Sequence, residues 1–346
     1  MRVTLHEVAN AVGVSVTAVS SVLNNQGGKM KVSDETAELI RAKACELNYR
    51  PNVLARSLRL RRTNTVGVVF QHLLEFGDQN PHYWQELLDG IMSVLFPRDY
   101  TLSLCPRLVS GKGPERIEDG RFDGILWCAP DFSDVTVDII DKSSTPIVLM
   151  HAPPESAPGV PVFTANNDAA MESVVAHLKA LGHERVAFVI DSISAQSAER
   201  VSRANAFLLW TQKYGLRGDV LSWSYDAGEL ESYVGAGAPH TALSVCSDFH
   251  AGRILSRAKD LGIHVPQDLS VVGFDSSSFC DRTTPRLTSI HQPVKRMAQE
   301  ATTCLLDLVC SERPPSGTVP YPPVIYDCGL DVRDSTAPPN PRRGGI

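Results

Sequence analysis

Between Thr4 and Leu47 apolar residues recur at three- and four-residue spacing, the mark of short amphipathic helices. Leu5, Val8, Ala9 and Val12 share one face of a first helix. Ala18, Val19, Val22 and Leu23 share a face of a second, which runs from Val16 to about Leu23. Ile40, Ala44 and Leu47 line a third, from Asp34 to Leu47. Thr4-Leu5-His6-Glu7 has the spacing at which a hydroxyl and a carboxylate satisfy the first free N–H groups of a helix. Gly13 supplies a turn, and Ser15 and Ser33 are placed as caps. Acidic Asp34 and Glu35 open the third helix, where the helix dipole favours them. After Pro51, Asn52 to Leu60 is helix-permissive but too short to hold a helix alone.

From Thr65 the pattern changes to strand-length apolar runs alternating with helical ones. The runs are Val66–Phe70, Thr101–Leu104, Gly124–Trp127, Pro146–Met150, Arg185–Ile190, Val220–Ser224, Ala242–Cys246 and Leu269–Phe274. Helices are predicted near Tyr83–Leu95, Asp168–Leu181, Arg203–Tyr214, Phe249–Leu261 and Pro293–Cys310. This alternation predicts doubly wound parallel sheets, and about 270 residues of it suits two lobes. The expected organisation is a helical headpiece over 1–49, a hinge or linker over 50–62, a two-lobed α/β body over 63–336 and a disordered Pro/Gly/Arg-rich tail over 337–346.

Charge sharpens the division. The net charge of −6 is unpromising for a nucleic-acid binder until it is split. Residues 1–62 hold ten Lys/Arg against five Asp/Glu, and the rest holds 23 against 34. A basic head on an acidic body puts any phosphate-binding surface at the N-terminus. No run approaches the roughly 20 apolar residues that span a bilayer, and no secretory signal opens the chain, so a cytoplasmic protein without a membrane partner is expected. The eight cysteines form no C-x-x-C pair, and read as reduced, mostly buried thiols.

Two short helices joined by a tight turn make a helix-turn-helix, whose second helix enters the major groove N-terminus first. Ser15, Val16, Thr17 and Ser20 lie near the start of that helix. Val16 and the Thr17 methyl suit thymine methyls, and the hydroxyls suit phosphates or base edges. With the linker included, the pattern becomes specific. The run Val3-Thr4-Leu5-x-x-Val8-Ala9-x-x-x-Gly13-Val14-Ser15-x-x-x-Val19-Ser20-x-Val22-Leu23-Asn24, with Leu47-Asn48-Tyr49-x-Pro51-Asn52-x-x-Ala55-Arg56-Ser57-Leu58, closely resembles the headpiece and hinge of the lactose/purine repressor (LacI/GalR) family. The resemblance implies DNA contacts from Thr4, Ser15, Val16, Thr17, Ser20, Asn24, Asn52, Ala55 and Leu58. Leu58 takes the place of the leucine that wedges into the minor groove, where an apolar side chain unstacks a base step and bends the duplex. Two departures stand out. Ser21 replaces a residue that is often long in the family, and the longer loop 25–31 carries Lys29 and Lys31.

The body resembles the same family to about Thr336. The matching runs are Asn80-Pro81-His82-Tyr83-Trp84, His177-Leu178-x-x-Leu181-Gly182-His183-x-x-Val186-Ala187, Val265-Pro266-x-Asp268-Leu269-Ser270-Val271-Val272-Gly273-Phe274-Asp275, Pro285-x-Leu287-Thr288-Ser289-Ile290 and Asp331-Val332-Arg333-Asp334-Ser335-Thr336. The last resembles the family's C-terminal strand. The implied fold is a periplasmic-binding-protein-like pair of α/β lobes with ligand between them, beyond the carboxyl ends of the strands. Asp275 ends an apolar strand and suits ligand hydroxyls or a ring N–H. Arg203 matches the family's effector-binding arginine and suits hydroxyl or carboxylate groups; Arg200 competes with it for that role. Ser247 stands for a usual asparagine and Asn166 for a usual aspartate. Tyr83, Trp84, Trp127 and Tyr225 are candidate aromatic faces for a sugar or base.

The expectation is a sequence-specific regulator, a repressor by resemblance. It binds pseudo-palindromic double-stranded operator DNA as a homodimer, under control of a small-molecule effector such as a sugar. A solute-binding protein shares the body but needs an export signal and no headpiece. An enzyme reading finds no G-x-S-x-G elbow, phosphate loop or metal-spaced His/Cys cluster, so neither catalysis, cofactor nor metal is expected. Without a heptad repeat after Thr336, a dimer is expected over a coiled-coil tetramer.

Overall fold

The computed structural model describes residues 3–23, 32–50, 57, 62–70, 81–105, 119–130, 134–191, 197–224, 228–237, 239–311 and 321–340. They form two compact units divided after Thr63.

The first unit contains α1 (Leu5–Val12), α2 (Val16–Leu23) and α3 (Asp34–Glu46). The Thr4 hydroxyl accepts from Glu7 N, and the Glu7 carboxylate accepts from Thr4 N at 2.7 Å, completing the capping box. Gly13 ends α1 at φ 74°, a left-handed conformation that glycine adopts without a Cβ penalty. Ser15 Oγ accepts from Ala18 N at 3.2 Å, and Ser33 Oγ from Thr36 N at 3.3 Å. Val8, Val19 and Ile40, all fully buried, close the core with Ala9 and Ala44. Each such aliphatic side chain contributes roughly 1.5–3 kcal/mol.

The second unit holds two six-stranded sheets. The first consists of β1 (Thr65–Phe70), β2 (Thr101–Leu104), β3 (Gly124–Cys128), β4 (Ile147–Met150), β5 (Val162–Ala165) and β11 (Val324–Tyr326), in the order β11-β5-β4-β3-β1-β2. All its pairings are parallel. The second consists of β6 (Arg185–Asp191), β7 (Arg217–Trp223), β8 (Ala242–Val245), β9 (Ser270–Asp275), β10 (Thr288–His291) and β12 (Gly329–Asp331), in the order β12-β10-β9-β8-β6-β7. Only β12, on the edge, runs antiparallel, against β10.

Helices cover both faces of each sheet, so the strands read as continuous apolar runs. On the first sheet, α4 (Pro81–Leu95) and α10 (Val294–Cys310) pack against Val66, Val68, Phe70 and Leu126. Opposite them, α5 (Asp134–Lys142) covers Val69, Ile125 and Leu149 through Ile139 and Ile140. On the second sheet, α6 (Asn167–Ala180) and α7 (Ala198–Lys213) cover Val186, Phe188 and Phe274. Helices α8 (Glu229–Gly235) and α9 (Asp248–Asp260) cover Ala187, Val189 and Val245.

The chain passes between the lobes three times: from β5 into α6, from β10 into α10, and from β11 into β12. Those crossovers place Asn166 and Asn167, Gln292 and Cys328 between the sheets.

Disorder was expected from Ala337. Instead Ala337 N donates to Ser270 Oγ, and Ser270 Oγ to the Ala337 carbonyl, both at 3.1 Å. The segment after Thr336 is held as far as these bonds reach because Ser270 offers it a donor and an acceptor that composition does not register.

Candidate functional site

In the headpiece, Thr4, Ser15 and Thr17 are exposed and Val16 is half-buried. Thr4 and Ser15 spend one lone pair each on capping. Ser20 departs from the expected DNA-reading set. It is 6% exposed and lies with Ala18 and Val19 on the face of α2 turned into the headpiece. The inward arc of α2 is therefore wider than its apolar residues indicate. Asn24, loop residues Lys29 and Lys31, and hinge residues Asn52, Ala55 and Leu58 lie outside the described residues.

In the body, the carboxyl ends of the strands converge on one set of polar side chains. Arg203, on α7, is 6% exposed. Its guanidinium lies 3.5 Å from the centroid of the Phe274 ring. Its Nε donates to Asn167 Oδ1 at 2.9 Å, and its Nη1 to the Cys246 carbonyl at 3.3 Å. Arg200 instead pairs with Asp191, Nη1 to Oδ2 at 3.0 Å. Of the two candidate arginines, Arg203 is the one bonded to a segment that joins the lobes.

Asp275, at the end of β9, accepts from Gln292 Nε2 at 2.5 Å. Burial pushes its carboxyl well above the usual carboxylate range, and the neighbouring Asp248 adds to the shift. Its φ is 113°, and Ser276 follows at 45°. His151, just after β4, has φ 52°. Such non-glycine conformations are costly and collect at ligand sites.

Tyr83, on α4, is half-buried and meets the His151 ring at 5.6 Å. Burial raises its phenol well above the usual value, with smaller contributions from Cys128, Asp275, Arg203 and Glu199. Groups of both lobes thus lie within electrostatic reach of Tyr83. Trp84 is half-buried and stands edge-on to Phe70 at 4.6 Å. Ser247 is buried and caps α9, its Oγ accepting from His250 N at 3.4 Å. Asn166 caps α6 through Ala169 N at 3.1 Å.

Trp127 does not join the set. It is fully buried beneath α5, on the sheet face opposite Cys128, because strand alternation turns neighbours to opposite sides. Tyr225 lies outside the described residues.

Several polar residues of the site went unnoticed in the sequence. Glu199 lies one helical turn before Arg203, a spacing that could have flagged it. Its Oε1 accepts from Thr164 Oγ1 at 2.8 Å, and its Oε2 takes a short hydrogen bond from Asn167 Nδ2. Gln292 is buried in a crossover. His151, 4% exposed, is held neutral by burial, which pushes it down to about 4; no sequence pattern surrounds it.

Comparison with known proteins decides the family. The model described as bacterial regulatory proteins, lacI family, matches residues 4–52, and that of the periplasmic binding protein-like domain matches 175–336. The HTH-type transcriptional repressor PurR of Photobacterium profundum is 30% identical over 319 residues, covering 88% of this chain and 92% of that one. The chain belongs to the lacI family of bacterial regulatory proteins. Catabolite control protein A of Priestia megaterium is 28% identical over 335 residues, 93% of this chain and 97% of that protein. The lac repressor dimer bound to operator and the anti-inducer ONPF shares the fold, with a TM-score of 0.81 and 22% identity over 97% of this chain and 100% of that one. As a lacI-family regulator, the chain pairs a DNA-binding headpiece with a ligand-binding body. None of the described helices is long and apolar enough to cross a membrane.

Proposed function

We propose that this chain is a homodimeric repressor whose hold on a pseudo-palindromic operator is set by a small molecule bound between the lobes of its body. One observation carries the reading: the pocket side chains are hydrogen-bonded to the segments that join the lobes. Arg203 is tied to Asn167 in the first crossover, and Asp275 to Gln292 in the second. Glu199, on a helix of the second lobe, holds Thr164 in a strand of the first. A ligand that takes hydrogen bonds from Arg203 or gives them to Asp275 competes with those ties and shifts the balance between lobe arrangements. A bias of roughly 1–3 kcal/mol between two states is enough to change operator affinity by one or two orders of magnitude.

The headpiece supplies the DNA surface through Thr4, Ser15, Val16, Thr17, Asn24, Asn52 and Ala55, with Leu58 as the minor-groove wedge. Tyr83, Trp84 and Ser247 complete the effector pocket around Arg203 and Asp275. Titration of purified protein onto a labelled promoter fragment from its own gene neighbourhood tests the reading. Retention should be sequence-specific, weaken steeply with salt, and change on addition of a metabolite. Protein carrying Asp275→Ala should keep the DNA binding and lose the metabolite response. Metabolite responses unchanged by that substitution would remove the effector from this cleft.

A further inference from the structure

Taking the cleft as the effector site, we propose that Glu199 sets the charge class of the effector, admitting uncharged or cationic molecules and excluding carboxylates and phosphates. An arginine on a pocket floor ordinarily suggests an anionic ligand. Here the guanidinium is already matched. Asn167 bridges the two charges, accepting from Arg203 Nε through Oδ1 and donating to Glu199 through Nδ2. Arg203 Nη2 lies 4.0 Å from Glu199 Oε2, with both side chains less than a tenth exposed.

The other charges lean the same way. Among the described residues whose fields reach Tyr83, His151 or Asp275, the cations are Arg200 and Arg203, and the carboxylates are Glu199, Asp248 and Asp275 itself. Arg200 is engaged by Asp191, whose side chain is 1% exposed. Once these pairs are set against each other, neither Arg200 nor Arg203 is left unmatched. Asp248 already accepts from Ser277 and Ser289. An anion entering the cleft would lose its hydration and find no unmatched positive charge. A polyhydroxylated or amino-bearing molecule would find carboxylate acceptors. Glu199 is the member whose charge opposes Arg203, so it discriminates.

The test uses the full chain, with Glu199→Gln retaining the side-chain shape and one acceptor oxygen. Inorganic phosphate, glucuronate, glucose and glucosamine are titrated against wild type and variant at constant ionic strength, by calorimetry and by shift of the unfolding temperature. Wild type should bind neither phosphate nor glucuronate above a sodium chloride control. The variant should bind at least one of these anions ten times more tightly than wild type, and a second change, Arg203→Met, should abolish the gain. Anion binding to wild type that a folded Arg203→Met protein lacks would overturn the proposal, whether or not Glu199→Gln folds. So would a folded Glu199→Gln protein that gains no anion affinity; either result leaves the cleft as the effector site. Sugar binding indifferent to both Arg203→Met and Asp275→Asn would instead overturn the effector-site reading and this proposal with it.

Discussion

Gln292 donates a hydrogen bond to Asp275 across 2.5 Å, joining a crossover between the lobes to the end of a strand in the second lobe. Both residues are buried. With Asp275 as the proposed effector residue, the pair makes one side chain serve ligand recognition and the lobe connection together. Replacing Gln292 by alanine cuts that tie while leaving the carboxyl in place. Effector should still bind to the Gln292→Ala protein, but the ratio of operator affinities with and without effector should fall at least severalfold. Paired titrations of DNA and effector check this; an unchanged ratio would mean that the tie carries no coupling.

Asp275 also makes a pH prediction. Its folded-state pKa is raised by burial first and by Asp248 second. An acid with a raised folded pKa binds more protons folded than unfolded. Its unfavourable contribution is therefore absent at acid pH and grows as pH rises from the ordinary carboxylate range through neutrality. Asp275→Asn keeps the shape without the charge. Thermal unfolding of wild type and Asp275→Asn should diverge with rising pH between about 4 and 8, the variant becoming the more stable. Parallel curves would count against a protonated carboxyl in the folded protein.

His151 acts in the opposite sense. Burial lowers its folded-state pKa to about 4, so the unfolded chain takes up a proton first as pH falls. Stability is lost between about pH 6.5 and 4. His183, lowered to about 4 by burial, contributes in the same window. At His151 the backbone is left-handed, φ 52°, a conformation asparagine tolerates. His151→Asn should flatten the acid limb of the stability curve, measured by urea unfolding at pH 7 and pH 5. A variant with an acid limb as steep as wild type would assign the loss to other groups.

Much of this was legible in the residues. Periodicity located α1 to α3, and their caps at Thr4, Ser15 and Ser33, because each short helix carries its own face and its own cap. The strand runs through Phe70 and Met150 were legible because buried parallel strands are continuous apolar stretches. Strand β5 was missed: four residues, Val162–Ala165, are too few for a period. Helix α5 was missed because its apolar face belongs to an otherwise acidic segment, Asp134–Lys142. Strand β7 begins at Arg217, before the apolar run that marks it, because an edge strand has exposed positions. In the candidate site, Arg203 and Asp275 stand in recognisable motifs. Asn167 was not, since its pairing with Glu199 and Arg203 spans more than 30 residues and leaves no local spacing, and Glu199 offered only its one-turn spacing to Arg203. Trp127 was misplaced because a strand tryptophan next to a site looks the same on either face of the sheet.

The packing of α4 on α10 gives a prediction independent of ligand. A Cβ added at Gly90 would lie 2.6 Å from the Lys295 carbonyl and 2.7 Å from Ala298 Cβ. The first of these is backbone, so the neighbour cannot swing aside. The helices approach closely because Gly90 has no side chain, and they jointly cover β1, β3 and β4. Gly90→Ala gains helix propensity worth about 1 kcal/mol, but forces the helices apart over a fully buried cluster, at a typical overpacking cost of about 1–3 kcal/mol. The second term should win, lowering the urea midpoint of the body. An exposed helical glycine such as Gly235, whose added Cβ meets nothing within 4 Å, is the control and should tolerate alanine. Equal responses at the two glycines would show that the close approach at Gly90 is not what limits the packing.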